Sequence, residues 1–342
     1  MMYIKIQLNL EGIKLTEESK SMKVMDAICL AIEEEMERDE SVFLIGEEVG
    51  MIGGCFSVTK GLYDKFGAKR IRDTPISENA ILGCAIGAAI AGMRPIAEIM
   101  FADFLCVCME MIVNQAAKAR YMYGGQISVP VTIRVPFGIG MLFAAQHSQC
   151  FESWLMHVPG LKVVLPSHAD DFKGLLKTAV RDDDPVIFFE HKSVYYLSGE
   201  VPLDKDFTVP FGQARKFTEG DDITIVATGM MVHESIKAAA KLKEENIYCE
   251  VIDPRTLVPL DKKAILNSVE KTGKLLIVDE GCKTCSVSAE IAAIVAEEGF
   301  QYLKKNIIRL NTPDTPIPYA KNLERAVIPN AKSIQANVKK LV

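Results

Sequence analysis

Short apolar runs separated by helical stretches leave this chain few ways to fold. Val42-Phe-Leu-Ile45, Arg94 to Met100, Val129 to Val135, Lys162-Val-Val-Leu165 and Pro185 to Glu190 read as strands. The run from Val129 to Val135 has almost no polar face, so it must be covered on both sides, as in a parallel sheet wrapped by helices. Between the runs lie Val24 to Arg38, with apolar residues at helical spacing (Val24, Ala27, Ile28, Ala31, Ile32), a small helix from Thr59 to Phe66, and helices over Asp103 to Tyr123 and Ala169 to Val180. Strand–helix alternation predicts a doubly wound, mostly parallel α/β sheet.

The pattern then pauses and restarts. Strands at Ile223–Ala227, Cys249–Ile252, Lys274–Val278 and Ile307–Leu310, with helices at Val232–Glu245 and Ser286–Glu297, predict a second α/β unit. A chain of 342 residues is long for one core, so two domains are expected. The predicted division is an extension over 1–21, a domain over 22–195, a linker over 196–212 and a second domain over 213–342.

Composition excludes several classes. A net charge of −6 with no basic block argues against nucleic-acid binding. No apolar run approaches the roughly 18 residues that span a bilayer, and no signal or transit peptide stands out, so no membrane partner is expected. Nine cysteines in apolar surroundings, among them Cys29, Cys84, Cys106, Cys108 and Cys150, suit buried free thiols in a reducing cytoplasm. Cys282-Lys-Thr-Cys285 lacks the second ligand pair that zinc needs and reads as an incidental thiol pair.

The stretch Arg72-Asp-Thr-Pro-Ile-Ser-Glu-Asn79 sits at a strand-to-helix corner. Pro75 ends the strand, Ser77 is placed to cap the next helix, and Glu78 falls in its first turn. Glu78 there either complements the helix dipole or is a catalytic carboxylate at the mouth of the sheet. The helix itself, Ala80 to Met93, is apolar all round, with Gly83 and Gly87 one turn apart for close packing within the domain or against another subunit. After the central strand comes a Gly-containing loop with His147 between Gln146 and Ser148-Gln149, polar company unusual for a core histidine.

Eight motifs in order carry a resemblance: Gly46-Glu-Glu-Val49, Lys60-Gly-Leu62, Asp73-Thr-Pro-Ile-Ser-Glu78, Gly92-Met-Arg-Pro95, Phe101-Ala-Asp-Phe104, Gln146-His-Ser-Gln149, Pro159-Gly-Leu-Lys-Val-Val164 and Asp253-Pro-Arg-Thr-Leu-Val-Pro-Leu260. Over nearly the whole chain from Met22, the sequence resembles the β subunits of thiamine-diphosphate-dependent 2-oxo acid dehydrogenase components, the pyruvate, branched-chain and acetoin dehydrogenases. The resemblance implies a pyrimidine-binding N-terminal domain and a transketolase-type C-terminal domain. It also implies a heterotetramer of two α and two β chains that feeds a lipoyl-bearing acyltransferase core. In the family the α chain holds the diphosphate and magnesium through Gly-Asp-Gly. This chain has no such motif, and Glu219-Gly-Asp-Asp222 reads as a polar turn.

By the same resemblance Glu78 activates the cofactor through a pyrimidine nitrogen, Phe104 stacks on that ring, and His147 binds substrate and supports acyl transfer to the lipoyl arm. The imidazole suits that work because it donates hydrogen bonds and changes charge near neutral pH. Glu47 either lines a passage between two cofactors or is a solvated strand-end charge. Val131, Ala179, Val180, Asp182 and Asp184 match a loop that binds potassium in some relatives, although relatives often carry an amide at the position of Asp184. Leu142, Phe143 and Cys285 depart from the small residues that relatives tend to carry. The expected function is a β subunit acting on acetoin or pyruvate. The alternatives are a branched-chain 2-oxo acid dehydrogenase β subunit, a transketolase-like half-enzyme, and a non-catalytic structural subunit.

Overall fold

The structure, a computed structural model, describes residues 18–342. Most of the predicted extension therefore lies outside the described residues. The first unit contains β1 (Ser19–Lys23), α1 (Val24–Arg38), β2 (Val42–Gly46), α2 (Leu62–Phe66), β3 (Ile71–Asp73), α3 (Glu78–Ile90), β4 (Arg94–Glu98), α4 (Leu105–Glu110), α5 (Ala117–Met122), β5 (Thr132–Phe137), α6 (Glu152–Met156), β6 (Lys162–Val164), α7 (Ala169–Arg181), β7 (Val186–His191) and β8 (Ser198–Pro202). The second contains β9 (Arg215–Thr218), β10 (Ile223–Ala227), α8 (Met230–Lys243), β11 (Cys249–Asp253), β12 (Thr256–Val258), α9 (Lys262–Thr272), β13 (Leu275–Cys282), α10 (Val287–Glu298), β14 (Ile308–Thr312), α11 (Lys321–Val327) and α12 (Ala331–Leu341).

The larger sheet runs β12-β6-β7-β5-β4-β2-β3, parallel except at β12. The smaller runs β14-β13-β10-β11-β9, parallel except at β9. Both are wrapped by helices, as the alternation of elements requires. The core on one face of the larger sheet continues without a break into Val226, Ile252, Leu257 and Ile277 of the second unit.

Several local readings change. Residues 19–21, read as extension, and 198–202, read as linker, pair as the antiparallel ribbon β1–β8. Ser77 makes no side-chain cap on α3: its backbone sits at φ −164°, ψ 70°, and the hydroxyl accepts nothing from the first turn. The helix read over Asp103 to Tyr123 is interrupted. It starts as a 3₁₀ turn at Ala102–Phe104, kinks at Cys108 and passes through a π turn at Met111–Ala116, a feature that often marks functional helices. All nine cysteines are free, but only Cys108 and Cys249 are buried; Cys84, Cys106, Cys282 and Cys285 are exposed. Among the described residues no helix is long and apolar enough to cross a membrane.

At the centre of the larger sheet Arg134 of β5 has no exposed surface. Its guanidinium donates to both carboxylate oxygens of Glu190 on β7, at 2.7 and 2.8 Å, and to Glu98 on β4 at 2.5 Å. Tyr195 adds its hydroxyl to Glu190 at 2.6 Å. Burial pushes Glu98 up while Arg134 pulls it down. Removing one partner of such a set leaves buried charge uncompensated. Arg134→Met is expected to cost about 3–5 kcal/mol of unfolding free energy, measured by urea titration; a cost under about 1 kcal/mol, the scale of a surface pair, would refute this account.

Candidate active site

Parallel strands place their following loops on one edge of the sheet, where α/β folds bind ligands. Glu47 follows β2, Glu78 opens α3 after β3, Phe101 to Phe104 follow β4, the His147 loop follows β5, and Lys192 follows β7. The sheet thus gathers Glu47, Glu78, Phe104 and His147 on the same edge.

Glu78 is 8% exposed, and among the described residues its carboxylate has no hydrogen-bond donor. Glu47 is likewise nearly enclosed at 7%. Burial raises its proton affinity first, and the charges of Glu78 and Glu48 raise it further. Two adjacent buried carboxyls without cations are costly for folding alone and leave acceptors free for a ligand.

Aromatic rings form the neighbouring wall. The His147 imidazole meets the edge of Phe101 at 4.8 Å and of Phe104 at 5.4 Å between ring centroids. Phe143 lies 5.7 Å from Phe101 and 6.4 Å from Phe56, and Phe56 reaches Tyr195 at 5.4 Å. The imidazole nitrogens have no protein partner among the described residues, so they remain available.

The loop carrying His147 is shaped by its backbone. Gly138 takes φ +96°, and a Cβ there would lie 2.3 Å from the His191 ring. Leu142 and Ala144 adopt φ 62° and 59°, a region that favours glycine. The second unit supports this bend. Glu324 accepts from the amides of Gly140 at 3.3 Å and Leu142 at 3.0 Å, and Glu280 accepts from Ile139 at 3.0 Å while meeting His191 at 2.5 Å.

The five residues read as a potassium site lie at the opposite edge of the sheet, around the end of α7. Their oxygens suit a hard cation in kind, yet protein donors already use them. Arg94 donates to the carbonyls of Val180 and Asp182 at 3.1 and 2.9 Å, Val186 to Val131 at 3.0 Å, and Asp182 to Ala179 at 3.2 Å. Lys162 pairs with Asp182 and Asp184, and Arg120 with Asp184.

Residues 20–197 match the transketolase pyrimidine-binding domain family and residues 212–334 the transketolase C-terminal domain family. The acetoin:2,6-dichlorophenolindophenol oxidoreductase subunit beta of Cupriavidus necator is 48% identical over 332 residues, covering 94% of this chain and 98% of that one. The chain belongs to the transketolase-like family of dehydrogenase β subunits. The 2-oxoisovalerate dehydrogenase subunit beta of Bacillus subtilis is also 48% identical, over 322 residues, with 94% and 98% coverage. The pyruvate dehydrogenase E1 component subunit beta of Rhizobium meliloti is 45% identical, covering 94% of this chain and 70% of the relative. Among solved structures, a split gene transketolase described as an inactive beta4 tetramer superposes with a TM-score of 0.77 at 21% identity, over 94% of this chain and 98% of the other, a likeness of fold.

The paired carboxyls give a pH test. A carboxyl raised by burial imposes no penalty below its ordinary value of 4.5. As pH rises toward and past the raised value, ionisation weakens the fold until the penalty is complete. Glu47→Gln is expected to raise Tm at neutral pH, with the gain vanishing as pH falls below 4.5. An equal gain at both ends of the titration would assign the effect to something other than charge.

Proposed function

We propose that this chain is the half of a thiamine-diphosphate-dependent dehydrogenase that holds the pyrimidine end of the cofactor, and that it works only with an α subunit supplying the diphosphate and magnesium site. The observation that carries the reading is the buried, unpartnered Glu78 on the same sheet edge as the Phe104–His147 pair, in a chain without Gly-Asp-Gly. The family relatives named as β subunits support the partner. Two α and two β chains, docked to a lipoyl-bearing acyltransferase core in the cytoplasm, complete the proposal.

When bound, thiamine diphosphate supplies a carbanion centre for carbonyl addition and an electron sink. Glu78 would share a proton with a ring nitrogen, a task that needs a rigid carboxyl with no competing protein donor. Phe104 would press one face of the pyrimidine, and the Phe101 edge keeps that ring in place. Glu47 would extend the acidic wall beside Glu78. His147, with both nitrogens available, would donate to the substrate oxygen and then to the acyl group as it passes to lipoamide. Phe143, packed on the same Phe101 ring that His147 meets, would narrow the wall there, which favours the small acyl unit of acetoin or pyruvate over a branched one.

The test mixes this chain with its α partner, thiamine diphosphate and magnesium, and follows dye reduction with acetoin, pyruvate and branched 2-oxo acids in parallel. Turnover is expected with acetoin or pyruvate and absent for either chain alone. Glu78→Gln is expected to lower kcat by at least about 100-fold; full activity in that variant would sink the assignment. A branched 2-oxo acid as the preferred substrate would keep the half-site and correct the role given to Phe143.

The proposal also includes potassium at the loop where Val131, Ala179, Val180, Asp182 and Asp184 would hold it through oxygens. Thermal unfolding is then expected at a higher temperature in potassium chloride than in sodium chloride of equal ionic strength. Equal midpoints would remove the ion and leave Arg94 and Lys162 as the counter-charges there.

A further inference from the structure

His147 is fastened from both sides, and neither fastening uses its imidazole. On one side Asp103, in the 3₁₀ turn after β4, accepts through Oδ1 from the Gln149 amide at 3.3 Å and the Gln149 side chain at 2.8 Å. On the other side the Lys192 ammonium donates to the His147 carbonyl.

Lys192 is an expensive residue to place there. Its side chain has no exposed surface, and among the described residues no carboxylate lies within ion-pair distance. Its remaining contacts are with rings: Nζ lies 5.1 Å from the Phe101 centroid and 5.5 Å from that of Phe143. Both rings belong to the wall around His147. Burial lowers its hold on the proton, while Asp103, Cys150, Glu280 and Cys55 face it and act in the opposite sense. A buried ammonium with one main-chain acceptor and two aromatic faces offsets its desolvation only in part. A methionine would fill the same volume without that cost. Stability alone therefore does not account for a lysine here.

We propose that Lys192 is a positioning residue for His147: from the end of β7 it pins the His147 carbonyl while Asp103 pins residue 149, so the imidazole stays on the Phe101 and Phe104 edges and faces the sheet edge that carries Glu78. The inference rests on the function proposed above, because it gives His147 an acyl group to serve. The clamp joins two loops, one after β5 and one after β7, whose strands Arg134 and Glu190 already lock together.

The test uses the assembled enzyme of this chain with its α partner. Lys192→Met is expected to lower kcat by about 10–100-fold, the scale of a small misplacement of a reacting group, with KM little changed. Transfer to a lipoyl acceptor should slow more than dye reduction. Lys192→Gln, which keeps a donor and loses the charge, should recover part of the loss. A second readout needs no turnover: the rate at which diethyl pyrocarbonate modifies His147, followed by peptide mass, should rise in Lys192→Met relative to the unaltered chain, while Tm and assembly are retained. Unchanged turnover with unchanged His147 reactivity would overturn the proposal. So would parallel loss of Tm, assembly and activity in both variants, which would make Lys192 a packing residue. If the unaltered assembly turns over none of the substrates, the functional reading fails, and the His147 reactivity alone still decides the clamp.

Discussion

The charge of Arg134 has to be satisfied in the middle of a sheet with no water, and the geometry of the site follows from how that is done. Glu98 is its direct neighbour on β4, and Glu190 reaches it from opposite Pro136 on β7, two residues along and on the same face. A slip of one residue in either pairing would turn a charge toward the opposite, apolar face, so the register of β4, β5 and β7 is fixed together. These are the strands whose ends release Phe101, the His147 loop and Lys192. The ion set therefore fixes where three segments of the site begin, and Tyr195, held against Glu190 and packed on Phe56, carries that constraint into the aromatic wall.

The chemistry of the site was more legible in the sequence than its assembly. The corner left Glu78 open between a dipole-complementing charge and a catalytic carboxylate, and its assigned role, like that of His147, came with the family resemblance. A lone arginine in Val-Thr-Ile-Arg-Val could have signalled a need for acidic partners in other strands, but which strands lie adjacent depends on crossovers that no local pattern records. Glu280, Glu324 and Lys192 were unreadable for the same reason: each acts on a loop far away in the chain. The β1–β8 ribbon escaped because most of its residues are exposed and show no apolar alternation. The π turn escaped because apolar spacing looks the same with one residue of slack. Cys84 and Cys106 were misjudged because apolar neighbours in sequence do not place a thiol inside when the helix face is left uncovered.

Two residues that the sequence reading set apart gain a physical meaning from the backbone. Leu142 and Cys285 both stand at positive φ, at 62° and 55°. Glycine reaches that region freely, and a β-carbon there costs about 1 kcal/mol or more. A glycine at either position would avoid a strain that this chain accepts. At Leu142 the bend is supported by Glu324, which accepts from its amide. At Cys285 nothing in the structure explains the choice.

One strand has a consequence for how the molecule is made. The three residues of β12 pair with β6 at the edge of the first sheet, although they come after β11 of the second. During synthesis the N-terminal sheet therefore leaves the ribosome with β6 as a bare edge, and an unpaired edge is a template for another chain. It stays bare until residue 258 has emerged and the Asp253–Leu260 segment can fold back. Folding one domain at a time is the usual course for a two-domain chain, but here the earlier domain is finished by a piece of the later one. The same segment crosses between the units, so pulling them apart requires stripping a strand from a sheet.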